Sequence, residues 1–319
     1  MEIDPRQAKE ALQQIQKAQK IVIISHRNPD ADTIGSNLAL RQVFEKYGKQ
    51  VISACVDALP ANLGFLKNIE KYQQNFAPHE MDLIICVDAG SPDQAAFIKQ
   101  YPDLFSGKIP VINIDHHASN NHYGTLNIVF PGAASTTIII YHLLLAWGEK
   151  ISKNMATCLL YGLYYDTGSF MHSNTSDGVY TVAGKLIEAG ANLEVIVKNL
   201  FHHNSIDQLR LWGKVFSEAE LTNKNVVVAG VRQEDFKKTA TGSTDLSGAI
   251  DYLSMVKGNL FATIISEDGK GNIRGSLRTK KNDVNLSEIA GMLGGGGHEK
   301  ASGFTFEGEL KKEIRWSIK

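Results

Sequence analysis

The sequence predicts an α/β protein in two parts: an N-terminal parallel-sheet domain with helices on both faces, and a smaller C-terminal α/β domain. Three observations lead there. Apolar, β-branched runs recur through the first third of the chain: IVIIS (21–25), VISAC (51–55), LIICV (83–87) and VINI (111–114). Segments with helical periodicity or turn residues separate them, such as NLALRQVFEKYG and PDQAAFIKQYPDLF. Continuously apolar strands alternating with helices indicate a parallel sheet buried on both sides. Beyond residue 225 the texture changes to NVVVAGV and LFATIISEDGKGNIRGSLR, strand-like segments of which the second holds a Gly-containing turn.

Taken in order, residues 1–20 carry a charged amphipathic helix pattern with no apolar signal core. The tract STTIIIYHLLLAW is too short to span a bilayer, so a cytoplasmic protein with no membrane partner is expected. Helical patterns dominate from 134 to 222, including TVAGKLIEAG and SIDQLRLWGKVFSEAEL. A helix at VNLSEIAGML precedes four glycines and a further strand candidate, ASGFTF. The predicted organisation is a catalytic domain over 1–190, a helical connector over 191–222 and a second domain over 223–319, in keeping with a 319-residue chain.

Bulk properties narrow the function. A hydrophobic share of 43% with 21% charged residues suits a globular protein with a sizeable core. The formal net charge of -1 supplies no global field for long nucleic acid, so any basic site must be local. The three cysteines, Cys55, Cys86 and Cys158, are odd in number and widely spaced. They argue against a disulfide framework or a zinc knuckle and for ordinary burial in a reducing compartment.

Chemistry gathers where the strand-like runs end. IVIIS is followed by His26, Asp30 and Asp32; LIICV by Asp88; VINI by Asp115, His116 and His117. A helix-like run, YGLYYD, ends on Asp166. Each has a bland reading: Asp30, Asp32 or Asp88 as a helix cap, the histidines as satisfied buried rings, Asp166 as a solvated carboxylate. In open parallel sheets, however, ligands sit at the carboxyl ends of strands, and one shared site explains all of them together. Carboxylates at such density repel one another, and cations are the usual remedy. Asp30, Asp32, Asp88 and Asp166 with two imidazoles and no thiolate suit Mn²⁺ or Mg²⁺ better than structural zinc. Six ligands exceed what one hydrolytic ion takes. Two ions about 3.5–4 Å apart, sharing a carboxylate, fit the number and support in-line displacement at phosphorus.

HRNPDADTIGS, VDAGS, IDHHASN and YYDTGSF, in this order, resemble the four motifs of the DHH phosphoesterase family, and GSLRTK with GGGGHEKASGF resembles its DHHA1 subtype. Within the family the pattern is most similar to the bacterial nanoRNase/pAp-phosphatase group. The resemblance implies two Mn²⁺ ions per subunit, with Mn²⁺ ahead of Mg²⁺. It implies that His26 and Asp30 hold one ion, that Asp32, His116 and Asp166 hold the other, and that Asp88 bridges. His117 would contact the phosphate or assist proton transfer, and Asp115 would orient the histidines. Gly35 and Ser36 look like a tight turn and helix start beneath the metals.

In the second domain, Arg278 lies inside the matched SLR motif and would clamp a substrate phosphate. Gly296, Gly297 and His298 belong to a glycine run that lets backbone amides approach a phosphate. The resemblance thus implies an active-site cleft between the domains and short single-stranded oligonucleotides or nucleotides, such as pAp or pApA, as substrates. A homodimer is left open. Two hydrolase alternatives are a RecJ-like single-strand exonuclease, disfavoured by near-neutral charge, and a cyclic-dinucleotide phosphodiesterase. An inactive nucleotide-sensing scaffold is the non-enzyme alternative, opposed by the intact ligand set.

Overall fold

In the computed structural model the described residues are 3–60, 62–201, 205–281 and 283–311. The chain divides into two compact units, Met1–His202 and His203–Lys319.

The first unit opens with α1 (Pro5–Lys17), started by the Asp4 side chain, which accepts from the Arg6 amide, and by Pro5 in the first turn. There follow β1 (Lys20–Ser25), α2 (Ala31–Lys46), β2 (Gln50–Ala54), β3 (Tyr72–Gln73), β4 (Leu83–Val87), α3 (Pro92–Ala95), β5 (Val111–Asp115) and β6 (Leu126–Val129). Four helices close the unit: α4 (Thr136–Ala146), α5 (Lys153–Asp166), α6 (Asp177–Glu188) and α7 (Leu193–Phe201). The strands form one six-stranded sheet in the order β3-β2-β1-β4-β5-β6, parallel throughout. From β1 the chain moves outward through β2 and β3, then returns to β4 and proceeds the other way. β1 and β4 therefore flank the point where strand order reverses, the place where open α/β sheets bind ligands.

All four predicted strands form; β1, β4 and β5 are buried on both sides, and β2 is only partly buried along its first residues. Ile21 and Ile23 of β1 pack with Leu83, Ile85, Ile112 and the long helices, while Val22 and Ile24 pack with Ile84, Cys86 and Phe97 on the opposite face. That second face is covered mainly by short pieces. PDQAAFIKQYPDLF, one of the segments expected to carry helical periodicity or turn residues, forms α3 and a 3₁₀ turn at Phe97–Lys99, with Phe76, Phe97 and Tyr101 clustered over the strands.

Gly35 and Ser36 do not make the expected turn. The Asp30 side chain starts α2 by accepting from the amides of Asp32 and Thr33, which puts both residues inside the helix. Glycine is required at 35 for packing: a Cβ there would stand 2.3 Å from the Cys158 carbonyl oxygen of α5. The three cysteines are free and buried, as expected.

The second unit holds α8 (Ile206–Ser217), β7 (Glu220–Leu221), β8 (Val226–Val231), α9 (Gln233–Thr239), α10 (Ala249–Leu253), β9 (Phe261–Glu267), β10 (Asn272–Arg278), α11 (Leu286–Gly291), β11 (Gly296–Gly297) and β12 (Ala301–Glu307). Its sheet runs β11-β12-β10-β9-β8-β7, with β8 and β9 parallel and the other pairs antiparallel. Leu211 and Val215 of α8 pack with Val227, Ala229 and Ile264, whereas Ile196 of α7 belongs to the first unit's core. The stretch 191–222 thus contributes to both cores. On the other side of the sheet, Leu286 and Ala290 of α11 cover Leu277 and Phe304. Among the described residues no helix is long and apolar enough to cross a membrane.

Candidate metal centre

The sheet brings His26, Asp30, Asp32, Asp88, Asp115, His116 and His117 to the carboxyl ends of β1, β4 and β5, and the last residue of α5 adds Asp166. The buried Asp88 sits in the middle with its two oxygens facing different partners. Oδ2 lies 3.4 Å from His26 Nε2, which is in turn 3.6 Å from Asp30 Oδ1. Oδ1 lies 3.5 Å from His116 Nε2, which is 3.2 Å from Asp166 Oδ2 and 4.0 Å from Asp32 Oδ2. Asp88 takes part in three donor groups, His26–Asp30–Asp88, Asp32–Asp88–His116 and Asp88–Asp115–His117, in each of which the candidate ligand atoms lie within 4.8 Å of one another; the first two stand on opposite oxygens of Asp88. The Asp88 backbone has φ +60°, a left-handed conformation uncommon outside glycine and a form of strain that collects at functional sites.

The electrostatics show what such crowding costs. Burial, and then the charges of Asp88 and Asp30, push the Asp32 carboxyl well above its usual range despite two amide hydrogen bonds. Burial and the neighbouring carboxylates Asp32, Asp30 and Asp88 do the same to Asp166. Asp88 behaves oppositely: burial alone would raise it, but His26, His117 and His116 hold it below the ordinary carboxylate range. A divalent cation relieves this repulsion, and oxygen and imidazole donors without thiolate suit such ions. The residues fit the metal role.

Asp115 is fully buried and its Oδ1 lies 2.6 Å from His117 Nδ1. Its other oxygen accepts from Asn120 Nδ2 at 2.5 Å. His117 is thereby held with Nδ1 inward, 3.7 Å from Asp88 Oδ1.

Several positioning groups escape a reading of acidic and histidine residues alone. The N-terminus of α4 faces Asp32: the Thr136 amide donates to Oδ2 at 2.6 Å and the Thr137 amide to Oδ1 at 2.9 Å. The Thr136 hydroxyl donates to Asp88 Oδ1 at 3.0 Å. A helix N-terminus favours nearby anions, and Ser135, which caps α4, marks that terminus in the sequence. Thr33 accepts from the His26 amide and donates to the Val87 carbonyl, tying the ends of β1 and β4 together. His116 Nδ1 lies 3.2 Å from the Ala133 carbonyl, a partner that fixes the ring while Nε2 faces the carboxylates. Asn174 donates to the Asp166 and Ala134 carbonyls beside it.

In the second unit, Arg278 closes β10, with Nε 3.4 Å from Asp251 Oδ1 of α10. Gly296 and Gly297 form β11 against Gly303 and Ser302, and the backbone of His298 turns the hairpin through bonds with Ala301. Glycine is needed at 297, where φ is +136° and a Cβ would meet the Ala301 oxygen at 2.7 Å.

The model of the DHH family N-terminal domain matches residues 20–163, and the model of the DHHA1 domain matches 223–318. The chain belongs to the DHH family. This DHH chain is a phosphoesterase, a hydrolase acting on phosphate ester bonds. It is 30% identical over 291 residues to the bifunctional oligoribonuclease and PAP phosphatase NrnA of Thermus thermophilus, covering 90% of this chain and 84% of that one. It is 26% identical to the protein of the same description from Bacillus subtilis, covering 89% and 88%. Among solved structures it resembles an exopolyphosphatase-related protein from Bacteroides fragilis, with TM-score 0.88 and 26% identity over 98% of this chain and 93% of the other.

Proposed function

We propose that the protein is a Mn²⁺-dependent phosphodiesterase and phosphatase acting on very short oligonucleotides and on small nucleotides such as pAp or pApA. The observation that carries this reading is Asp88, a buried carboxylate with one oxygen turned to each of two donor groups. In this assignment His26 and Asp30 hold one ion, Asp32, His116 and Asp166 hold the second, and Asp88 is shared. When bound, such a pair supplies Lewis-acid stabilisation of phosphoryl charge and lowers the pKa of an attacking water. The chain's own contribution is placement. Thr136 and Thr137 fix Asp32 from the helix end, and Thr136 also fixes the Asp88 oxygen turned to His116. Asp115, itself held by Asn120, fixes His117 through Nδ1, and in this reading His117 contacts a phosphate oxygen or passes a proton to the leaving group. Arg278 contributes a guanidinium for a substrate phosphate, exchanging its Asp251 contact for a stronger bidentate one, and the amides of Gly296 and Gly297 with His298 assist it. The descriptions of the Thermus thermophilus and Bacillus subtilis relatives, both long matches, support the substrate class.

The test is a Mn²⁺ assay panel with product mapping across pAp, pApA, a trinucleotide, a cyclic dinucleotide, pyrophosphate and a long single strand. Highest kcat/KM on the short linear substrates is expected. Preference for the long strand or for pyrophosphate would overturn the substrate assignment, and no turnover on any of them would overturn the activity.

A further inference from the structure

We infer that one face of β10 is a phosphate ruler that limits substrate length: Arg278, Ser276 and Arg274 take successive phosphates of a single strand, and Asp268 ends the row. The inference rests on the proposed action on short oligonucleotides and assigns to Arg274, Ser276 and Asp268 a role in choosing among them.

Residues 273, 275 and 277 of β10 point to the side of the sheet covered by α11, where Ile273, Gly275 and Leu277 are buried. The alternate positions face the other way: Arg274 and Ser276 are exposed and Arg278 is half-buried. Side chains two apart on a strand are separated by about 6.6 Å. One nucleotide of an extended strand spans the same number of backbone bonds as two strand residues, so successive phosphates match this repeat. Arg278 and Arg274, about 13 Å apart on that basis, are two phosphate steps apart, with the Ser276 hydroxyl at the step between. The neighbouring strand keeps the row open, since Ala301, Gly303 and Thr305 of β12 stand beside Arg278, Ser276 and Arg274, and none carries a bulky side chain. Among the described residues the Arg274 side chain makes no hydrogen bond or ion pair, and its charge acts on Asp268 beside it, so its guanidinium donors can turn to an anion.

The next position along the row changes sign. Asn272 donates through its side chain to Asp268 Oδ2 at 2.8 Å, and the amides of Lys270 and Asn272 donate to Oδ1 at 2.7 and 3.1 Å. The Asn272 side chain, with these amides and the charge of Arg274, holds the Asp268 carboxyl below its usual range. A phosphate reaching this step meets a fixed carboxylate in place of a cation, and the mismatch disfavours further nucleotides.

The experiment measures kcat/KM for a ladder of 5′-phosphorylated oligoribonucleotides from two to six nucleotides, with Mn²⁺, for wild type, Arg278→Ala, Arg274→Gln and Asp268→Asn. The shortest substrate that loses activity with Arg278→Ala sets the register. Sensitivity to Arg274→Gln should begin two nucleotides later, with about a tenfold greater loss there than on shorter substrates. Asp268→Asn, which keeps an oxygen for the two amides, should raise activity severalfold on substrates at least one nucleotide longer still. Sensitivity to Arg274→Gln that is absent, equal at all lengths, or coincident with that of Arg278→Ala overturns the ruler, as does an Asp268→Asn profile identical to wild type. Absence of wild-type turnover on the whole ladder would instead overturn the substrate class on which the inference rests.

Discussion

Replacing Gly162 with alanine tests how the helix that carries Asp32, a proposed metal ligand, is supported. Gly162 lies in α5 where it crosses α2, and a Cβ there would stand 2.6 Å from Thr137 Cγ2, 2.7 Å from Asp32 Oδ1 and 2.8 Å from Asp32 Cα. Two of these neighbours cannot yield easily. Asp32 Cα is helix backbone, and Oδ1 is held by the Thr137 amide at 2.9 Å. Overpacking of this kind costs about 1–3 kcal/mol, while alanine in a helix interior regains roughly 0.5–1 kcal/mol over glycine. The net expectation is a loss of about 1 kcal/mol, or a fall of roughly 2–4 °C in Tm for a domain of this size. The chemistry should suffer more than the fold, because any relief moves Asp32 away from its amides. Thermal melts, with Mn²⁺ titrations of activity on a trinucleotide, read both effects, and the Mn²⁺ concentration at half-activity should rise severalfold. Gly184→Ala is the control: it lies in α6 with nothing within 4 Å of its Cβ position, so it should leave Tm level or slightly higher. If Gly162→Ala matches that control in both Tm and Mn²⁺ demand, close approach at residue 162 does not position Asp32.

Asp88→Ala should abolish turnover and lower metal occupancy while the far-ultraviolet spectrum stays native; substantial Mn²⁺-dependent activity in that variant refutes the bridging assignment. Mn²⁺ should activate better than Mg²⁺, because the two facing imidazoles favour the softer ion, and equal specific activity at saturating Mg²⁺ would count against it. Arg278→Ala should reduce kcat/KM on a trinucleotide by about 2–3 kcal/mol equivalent and change hydrolysis of a small chromogenic phosphodiester much less, since that ester has no remote phosphate to hold. Equal losses on both would make Arg278 part of the catalytic core or the fold. Far from the site, burial would raise the Glu45 carboxyl, but Lys71 and Arg41 hold it below its usual range. A lowered carboxylate pKa stabilises above the unfolded value and loses that contribution as pH falls through the folded one. Denaturant melts of wild type and Glu45→Gln should therefore differ by less than about 1 kcal/mol at pH 7 and converge in acid; a gap that widens in acid would reverse the sign.

The elements easiest to read in the sequence were those whose burial is uniform. β1 and β4 show continuous apolar runs, and β5 one interrupted only by Asn113, because both faces of the sheet are covered, and each run is followed by the candidate ligands. The second face was harder. Ala96, in a left-handed backbone conformation, ends α3 after four residues, and nothing in PDQAAFIKQYPDLF announces it. Gly35 misled for a related reason. A glycine followed by serine a few residues after an Asp-rich stretch carries the local signature of a turn, yet it serves the approach of α2 to α5, a contact made with Cys158 far along the chain.

The site shows the same division between local and distant information. Carboxylates and imidazoles at strand ends stand out because few structural roles call for them together. The groups that hold them are threonines, asparagines and backbone amides, which are ordinary in any loop. Thr136 illustrates this: STTIIIYHLLLAW reads as a capped apolar helix, and only the sheet order places its first amides against Asp32, more than a hundred residues away. Topology also makes Asp88 central. Because β4 returns beside β1 at the point of reversal, the residue after β4 is flanked by the turn that carries His26 on one side and by His116, following β5, on the other. A carboxylate at that position reaches both donor groups with its two oxygens, and none of the other acids named here lies between the two histidines in this way. The left-handed backbone of Asp88 is consistent with that demand. Its conformation is held by the Asp88 amide's bond to the Ile114 carbonyl and by the Thr136 hydroxyl on its side chain, so strand pairing and helix start jointly set the direction of its two oxygens.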